Sequence, residues 1–224
     1  MRPNAPETNG VSPHFPSRRD NPFATCWTRP GALPFRFGEG QSAPQLIAKL
    51  ADQNWWGAIV GPHGSGKSTL LESLKPALSH AGRRLLAIAL RDGQRRLPRE
   101  FCDAFVVRTV ERDSLVLIDG YEQLGWLERL RLARRCRRAS AGLLVTAHAS
   151  TRLPTLIQLA PNQRLIERLV ADLCVEVSTP ISTEDVAASH ACHDSNVREI
   201  FFDLYDRYER KRRSERTRTA AATY

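Results

Sequence analysis

Eight consecutive residues have the types and spacing to bind a polyphosphate: Gly61, Pro62, His63, Gly64, Ser65, Gly66, Lys67 and Ser68. Three glycines let the backbone curl, so that successive N–H groups point inward at phosphate oxygens. Lys67 brings a full positive charge for the β- and γ-phosphates, and Ser68 a hydroxyl suited to Mg2+. Thr69 follows in the first turn of the helix that such a loop must open, whose N-terminus adds partial positive charge to the same site. The loop comes straight after the apolar run 56–60, a strand, so its context fits its composition.

A second cluster stands about fifty residues on. Leu115, Val116, Leu117 and Ile118 precede Asp119, an acid at a strand's carboxyl end, positioned to hold Mg2+ through water. Gly120 occupies the place where a glutamate often polarises the attacking water. Glu122, three residues beyond Asp119, is the candidate catalytic base; its alternative role is a first-turn carboxylate stabilised by the helix dipole. Thr146, a polar residue ending the run 142–146, is placed to read a γ-phosphate, to hold the water, or to serve as a satisfied strand-end hydroxyl. His148 is the weaker candidate beside it, with a structural role as its preferred reading. No Asn-Lys-x-Asp string for guanine recognition occurs, so ATP is expected rather than GTP.

The elements that must carry these residues follow a parallel-sheet rhythm. Continuous apolar runs at 56–60, 85–90, 115–118 and 142–146, with a weaker one at 155–159, predict five strands covered on both faces. Helices are expected over 67–81, about 97–108 and 122–139. Beyond Pro161 the period becomes helical, with Leu165, Ile166, Leu169, Val170 and Leu173 on one face, a short helix from Thr183, and a third from Asn196 past Tyr208. Ser42 with Pro44 marks a further short helix ahead of the first strand. The expected class is α/β, a three-layer P-loop NTPase with a mainly parallel five-stranded sheet and a small C-terminal helical lid. Its expected divisions are a disordered Pro-rich N-terminus over 1–20, a nucleotide-binding core over 21–160, a lid over 161–212, and a basic disordered tail over 213–224. Phe23, Trp27, Leu33, Phe35 and Phe37 point to an ordered, irregular stretch, with a hairpin as one form; Phe35 and Phe37 either flank a base or pack in the core.

Together with Ser195-Asn196-Val197-Arg198-Glu199-Ile200, these motifs make the chain resemble the AAA+ ATPases. The string at 195–200 is similar to the lid-helix motif of replication-initiator members. The resemblance implies that Arg198 reaches over the nucleotide to the β- and γ-phosphates and couples the lid to hydrolysis. It implies ATP and Mg2+ as ligands, an unidentified protein partner, and a homo-oligomer. Two features depart from the family pattern: Gly120 after Asp119, and a connection of only residues 147–154 between the fourth and fifth strands. That connection is too short for the helix that usually carries an arginine finger, and Arg152 is the sole arginine there. A non-hydrolysing switch or adaptor and a small-molecule kinase share the same loop and stand as alternative readings.

Net charge is +9, carried largely by arginine. Arg129, Arg131, Arg134, Arg135, Arg137 and Arg138 form one run over 129–138, a face for nucleic acid or an ordinary solvated helix surface. Five scattered cysteines without a CxxC pair give no disulfide framework. His190, Cys192 and His193 cluster without the fourth ligand that zinc wants. No apolar run reaches the roughly 18 residues of a membrane span, and the prolines near the N-terminus replace the apolar core of a signal peptide, so a cytoplasmic protein is expected.

Overall fold

A computed structural model describes residues 17–221 apart from 39, 107–109, 176 and 195. The expected disordered N-terminus therefore lies outside the described residues up to residue 16, as do Ser195 of the lid motif and residues 222–224.

Five strands make one sheet: β1 (Trp56–Val60), β2 (Arg84–Ala89), β3 (Ser114–Asp119), β4 (Gly142–Ala147) and β5 (Thr155–Gln158). Their order is β2-β3-β4-β1-β5, and every neighbouring pair is parallel. The strands β3, β4 and β1 lie inside the sheet and are buried almost throughout. The edge strand β2 is only partly covered. Parallel pairing needs crossovers; helices supply those between β1 and β4, whereas the connection from β4 to β5 has none.

Ahead of and between the strands run α1 (Thr25–Thr28), α2 (Ala43–Asp52), α3 (Lys67–His80), α4 (Arg99–Val106) and α5 (Trp126–Arg138). Ser42 Oγ accepts from Gln45 N and, with Pro44 in the first turn, starts α2. Leu46 and Leu50 of α2 and Leu70, Leu71, Leu74 and Leu78 of α3 cover one face of the sheet over Ile59, Leu117 and Leu144. Phe101 of α4 with Leu132 and Cys136 of α5 covers the other, over Val116, Ile118 and Val145. Each such buried aliphatic side chain is worth about 1.5–3 kcal/mol, which fixes the sheet, and with it the strand ends, between the helical layers. The helix expected over 122–139 begins later: a single 3-10 turn (Tyr121–Gln123) precedes α5, because Gly125 interrupts the helix.

The lid is α6 (Gln163–Cys174), α7 (Thr183–Cys192) and α8 (Val197–Ala221). Asn162 caps α6, and a reciprocal Ser182–Asp185 capping box opens α7. Ile166, Val170, Leu173, Val186, Ile200, Phe201, Leu204 and Tyr208 form a third core of their own.

Two expectations are corrected here. Residues 21–33 do not join the nucleotide core: Phe23 and Leu33 are buried in the lid core with Trp27 against them, and Asn21 Nδ2 donates to Glu209 Oε1 of α8 at 2.9 Å. No hairpin forms there, only the single turn α1 and an isolated bridge between Pro30 and Leu33. The tail is also helical rather than unstructured as far as Ala221. Between Arg207 and Thr219 there is no glycine or proline, and arginine, lysine and glutamate are good helix formers, so charge alone does not end α8.

Candidate functional site

The loop joining β1 to α3 sits at the carboxyl edge of the sheet beside the ends of β3 and β4, where open α/β sheets bind their ligands. Gly64 lies at φ +67°, and a Cβ there would stand 1.7 Å from Asn196 Oδ1 and 3.3 Å from Arg198 N. Only glycine lets the start of α8 seat so closely on the loop. Asn196 also caps that helix, Oδ1 accepting from Glu199 N at 3.4 Å.

Lys67 is 8% exposed; its Nζ donates to Gly61 O at 2.7 Å and Pro62 O at 2.6 Å. Burial pulls its ammonium below the usual lysine range, countered in part by the carboxylates of Glu122 and Asp119. Ser65 Oγ, inside the loop, is enclosed without a partner. Such an unpaired polar atom is expensive unless something else supplies its hydrogen bond.

Thr146 faces Asp119. Its hydroxyl donates to Asp119 Oδ1 at 2.6 Å and accepts from Gly120 N at 2.8 Å, and the residue is 1% exposed. Of the roles open to it in the sequence, the observed contacts are those of a strand-end hydroxyl that orients the acid. Gly120 is at φ +82°, and a Cβ would meet Leu90 O at 3.0 Å. A glutamate at this position would be strained, so the glycine is a requirement of the turn. The 3-10 turn that follows swings Glu122 back to the cleft. Glu122 Oε1 lies 2.6 Å from His148 Nε2, Glu122 O accepts from Arg129 Nη2 at 2.7 Å, and Oε2 is enclosed without a partner.

His148, only the weaker candidate in the sequence, lies among these groups. Its Nδ1 is 3.3 Å from Lys67 Nζ, and its ring stacks on His63 with centroids 3.5 Å apart at 29°. Burial and then the Lys67 charge lower its pKa, with His63 acting the same way and Glu122 opposing. The one available signal was its place directly after the end of β4, the strand that carries Thr146.

A cleft of about 630 Å³ joins these groups, in the size range of small-molecule sites. Ser68, Thr69, Asp119, Glu122, Thr146 and Arg198 all line it, as do His63 to Lys67. Gly61 and Pro62 stand behind, holding Lys67 by their carbonyls. The Arg198 guanidinium has no hydrogen-bond or ion-pair partner among the described residues, so a cation faces the cleft unneutralised. Phe35 lines the cleft and packs edge-on against Phe37 at 5.0 Å, both leaning on the α2–α3 core. Arg91 and Asp92, just past β2, line it too and had not been singled out. Arg152 does not line it, and residues 148–154 form no helix. The arginines of α5 are largely engaged: Arg129 on the carbonyls of Leu124 and Glu122, Arg131 with Glu128, Arg135 with Cys102 Sγ, and Arg137 over the Trp56 ring.

A glycine-rich loop between parallel strand and helix, an acid on the neighbouring strand's end, and a helical lid seated on the loop give this chain the fold of the AAA+ P-loop ATPases. No protein-family model and no curated protein matches its sequence. Among solved structures it is similar to AMPPCP-bound DnaA from Aquifex aeolicus, with a TM-score of 0.52 and 16% identity over 80% of this chain and 68% of that one. It is equally similar to a DNA replication initiation factor, at TM-score 0.52 and 17% identity over 82% and 67% of the two chains. At such identities the likeness is one of fold. Among the described residues no helix is long and apolar enough to cross a membrane.

Proposed function

We propose that the chain binds ATP with Mg2+ in this cleft and hydrolyses it, the lid following the state of the nucleotide. The observation that carries the reading is the convergence of Lys67, Asp119 and Glu122 on one cleft, with Glu122 delivered by the turn that Gly120 makes. The residues fit the ligands: the enclosed, unpartnered Ser65 Oγ and the uncompensated Arg198 both lack what a polyphosphate would supply. The N–H groups of residues 63–69 would hold the phosphates, with Lys67 turning from the loop carbonyls to the β- and γ-oxygens. Ser68 and Asp119 would hold Mg2+, whose charge favours the developing negative charge on the phosphate oxygens. Glu122 takes the proton of the attacking water, and Arg198 carries the loss of the γ-phosphate into the lid.

Equilibrium binding of fluorescent ATP and phosphate release, measured on the same samples, test this. Lys67→Ala is expected to lose binding; Glu122→Gln is expected to bind and not turn over. Unchanged turnover in Glu122→Gln refutes the assignment of the base. The second reading, a non-hydrolysing switch, is favoured by the enclosure of Glu122 Oε2; tight binding without any phosphate release in the wild type selects it. The proposed partner is a protein that reads the lid, in a cytoplasmic setting. Nucleic acid is left out, because most arginines of α5 already serve contacts within the chain.

A further inference from the structure

The P-loop lysine and the candidate base do not touch each other, yet one side chain touches both. His148 lies between them, with Nδ1 3.3 Å from Lys67 Nζ and Nε2 2.6 Å from Glu122 Oε1. The direction of this chain follows from donor chemistry. An ammonium only donates, so Nδ1 must accept; the ring proton then sits on Nε2, where it donates to the carboxylate. Lys67 thereby sets the tautomer that Glu122 needs. The ring is held flat in place by its stack on His63, itself part of the loop.

Glu122 benefits from being held. Its side chain has three rotatable bonds, and a base must sit within hydrogen-bond reach of the proton it removes. The residue is gripped at both ends, Arg129 Nη2 on its carbonyl and His148 on Oε1, which leaves the lone pairs of Oε2 unused. One oxygen is anchored and the other is unpaired though enclosed, so Oε2 can act as the base once a water enters beside it, which repeats the logic of a base oriented by a third group.

We infer that His148 is a positioning residue for the base: through Nε2–H it fixes Glu122, and through Nδ1 it makes that hold answer to the position of Lys67. This rests on the reading of Glu122 as the base. When Lys67 leaves the loop carbonyls for a phosphate, the Nδ1 contact changes, so nucleotide binding and base placement are linked by one imidazole.

The test uses the full chain. In the nucleotide-free protein, long-range nitrogen–proton NMR of the imidazoles, with His148 assigned by His148→Gln, is expected to show the Nε2-protonated tautomer. Glu122→Gln should move its Nε2 signal, and saturating ADP its Nδ1 signal. An Nδ1-protonated His148, or one indifferent to both changes, overturns the inference even if the protein never turns over ATP. In steady state, His148→Phe, which keeps the stack on His63, is expected to lower kcat about 10–100-fold, part of the ~10²–10⁴ of a general base, with nucleotide affinity within about threefold. His148→Gln, whose amide can still donate to Glu122, should recover most of the rate. A loss of nucleotide binding in His148→Phe means a structural role and overturns the proposal. Normal kcat in His148→Phe beside a dead Glu122→Gln overturns it while sparing the base, whereas an active Glu122→Gln overturns both.

Discussion

Gly120 stands where a glutamate would follow Asp119, and replacing it by alanine measures why the chain has a glycine there. At φ +82° an L-residue with a side chain is in the left-handed region, which costs about 1–2 kcal/mol relative to glycine. The added Cβ would also stand 3.0 Å from Leu90 O, a backbone atom that cannot swing away. Leu90 belongs to the β2–β3 edge, its N–H donating to Asp119 O at 2.8 Å, and pushing that carbonyl back strains a hydrogen bond worth about 0.5–1.5 kcal/mol. The two costs together come to about 1.5–3.5 kcal/mol. For a chain of this size each kcal/mol shifts Tm by about 2–4 °C, so Gly120→Ala should melt roughly 3–14 °C lower in a circular-dichroism scan. Because Gly120 N also donates to Thr146 Oγ1, the Asp119–Thr146 contact should loosen and Mg·ATP turnover should fall with it. Gly120→Glu should be at least as destabilised and should not gain activity. A Gly120→Ala protein melting within 1 °C of wild type, or a faster Gly120→Glu enzyme, would refute the argument that this turn forbids a side chain.

Arg198→Ala should weaken ATP binding by about tenfold or more, the loss of one charge-assisted hydrogen bond of about 1.5–3 kcal/mol; equal affinity in a fluorescence titration removes Arg198 from the site. The thiols should react unequally. Cys136 is fully buried beneath α5 and its pKa is pushed up to about 12 by burial, whereas Cys192 is exposed. A chromogenic disulfide at pH 8 should therefore label Cys192 within minutes and reach Cys136 only on unfolding. Comparable rates, resolved by peptide mapping, would contradict the packing of α5 on the sheet.

How much of this was legible in the sequence depended on where each residue's partners lie along the chain. The strands and the loop 61–68 were readable because their signals are local: a continuous apolar run for a strand buried on both faces, and glycine spacing for a curl around an anion. Asp119, Glu122 and Thr146 all line the cleft, and the contact of Thr146 with Asp119 joins residues 27 apart, which no local signal reveals. The contacts of His148 were hidden for the same reason, since its partners come from the loop and from the turn after β3. The glycine at 120 reads as a missing acid until its φ is known, because sequence does not distinguish an absent function from a backbone requirement. The assignment of 21–33 failed on distance alone: Phe23 meets Tyr208 with centroids 6.3 Å apart, from nearly the other end of the chain.

That long-range packing bears on how the lid and the cleft communicate. Leu33 is buried in the lid core, while Phe35, two residues later, leans on the α2–α3 core and lines the cleft, its N–H donating to Ser73 Oγ of α3 at 3.4 Å. Arg36 then pairs back to Asp172 of α6. The chain from 33 to 36 thus crosses between the two bodies beside the cleft, and the lid meets the core there as well as where Asn196 seats on Gly64. The contacts are of unequal weight. The Arg36–Asp172 pair is half-exposed and of a kind worth at most about 1 kcal/mol, whereas burying Leu33 is worth about 1.5–3 kcal/mol. A lid shift that keeps its own core intact must therefore carry Leu33 with it and pull on Phe35. Under the proposed lid movement, a shift of Arg198 and Asn196 at the phosphate end would pull on the opposite side of the cleft through this strap.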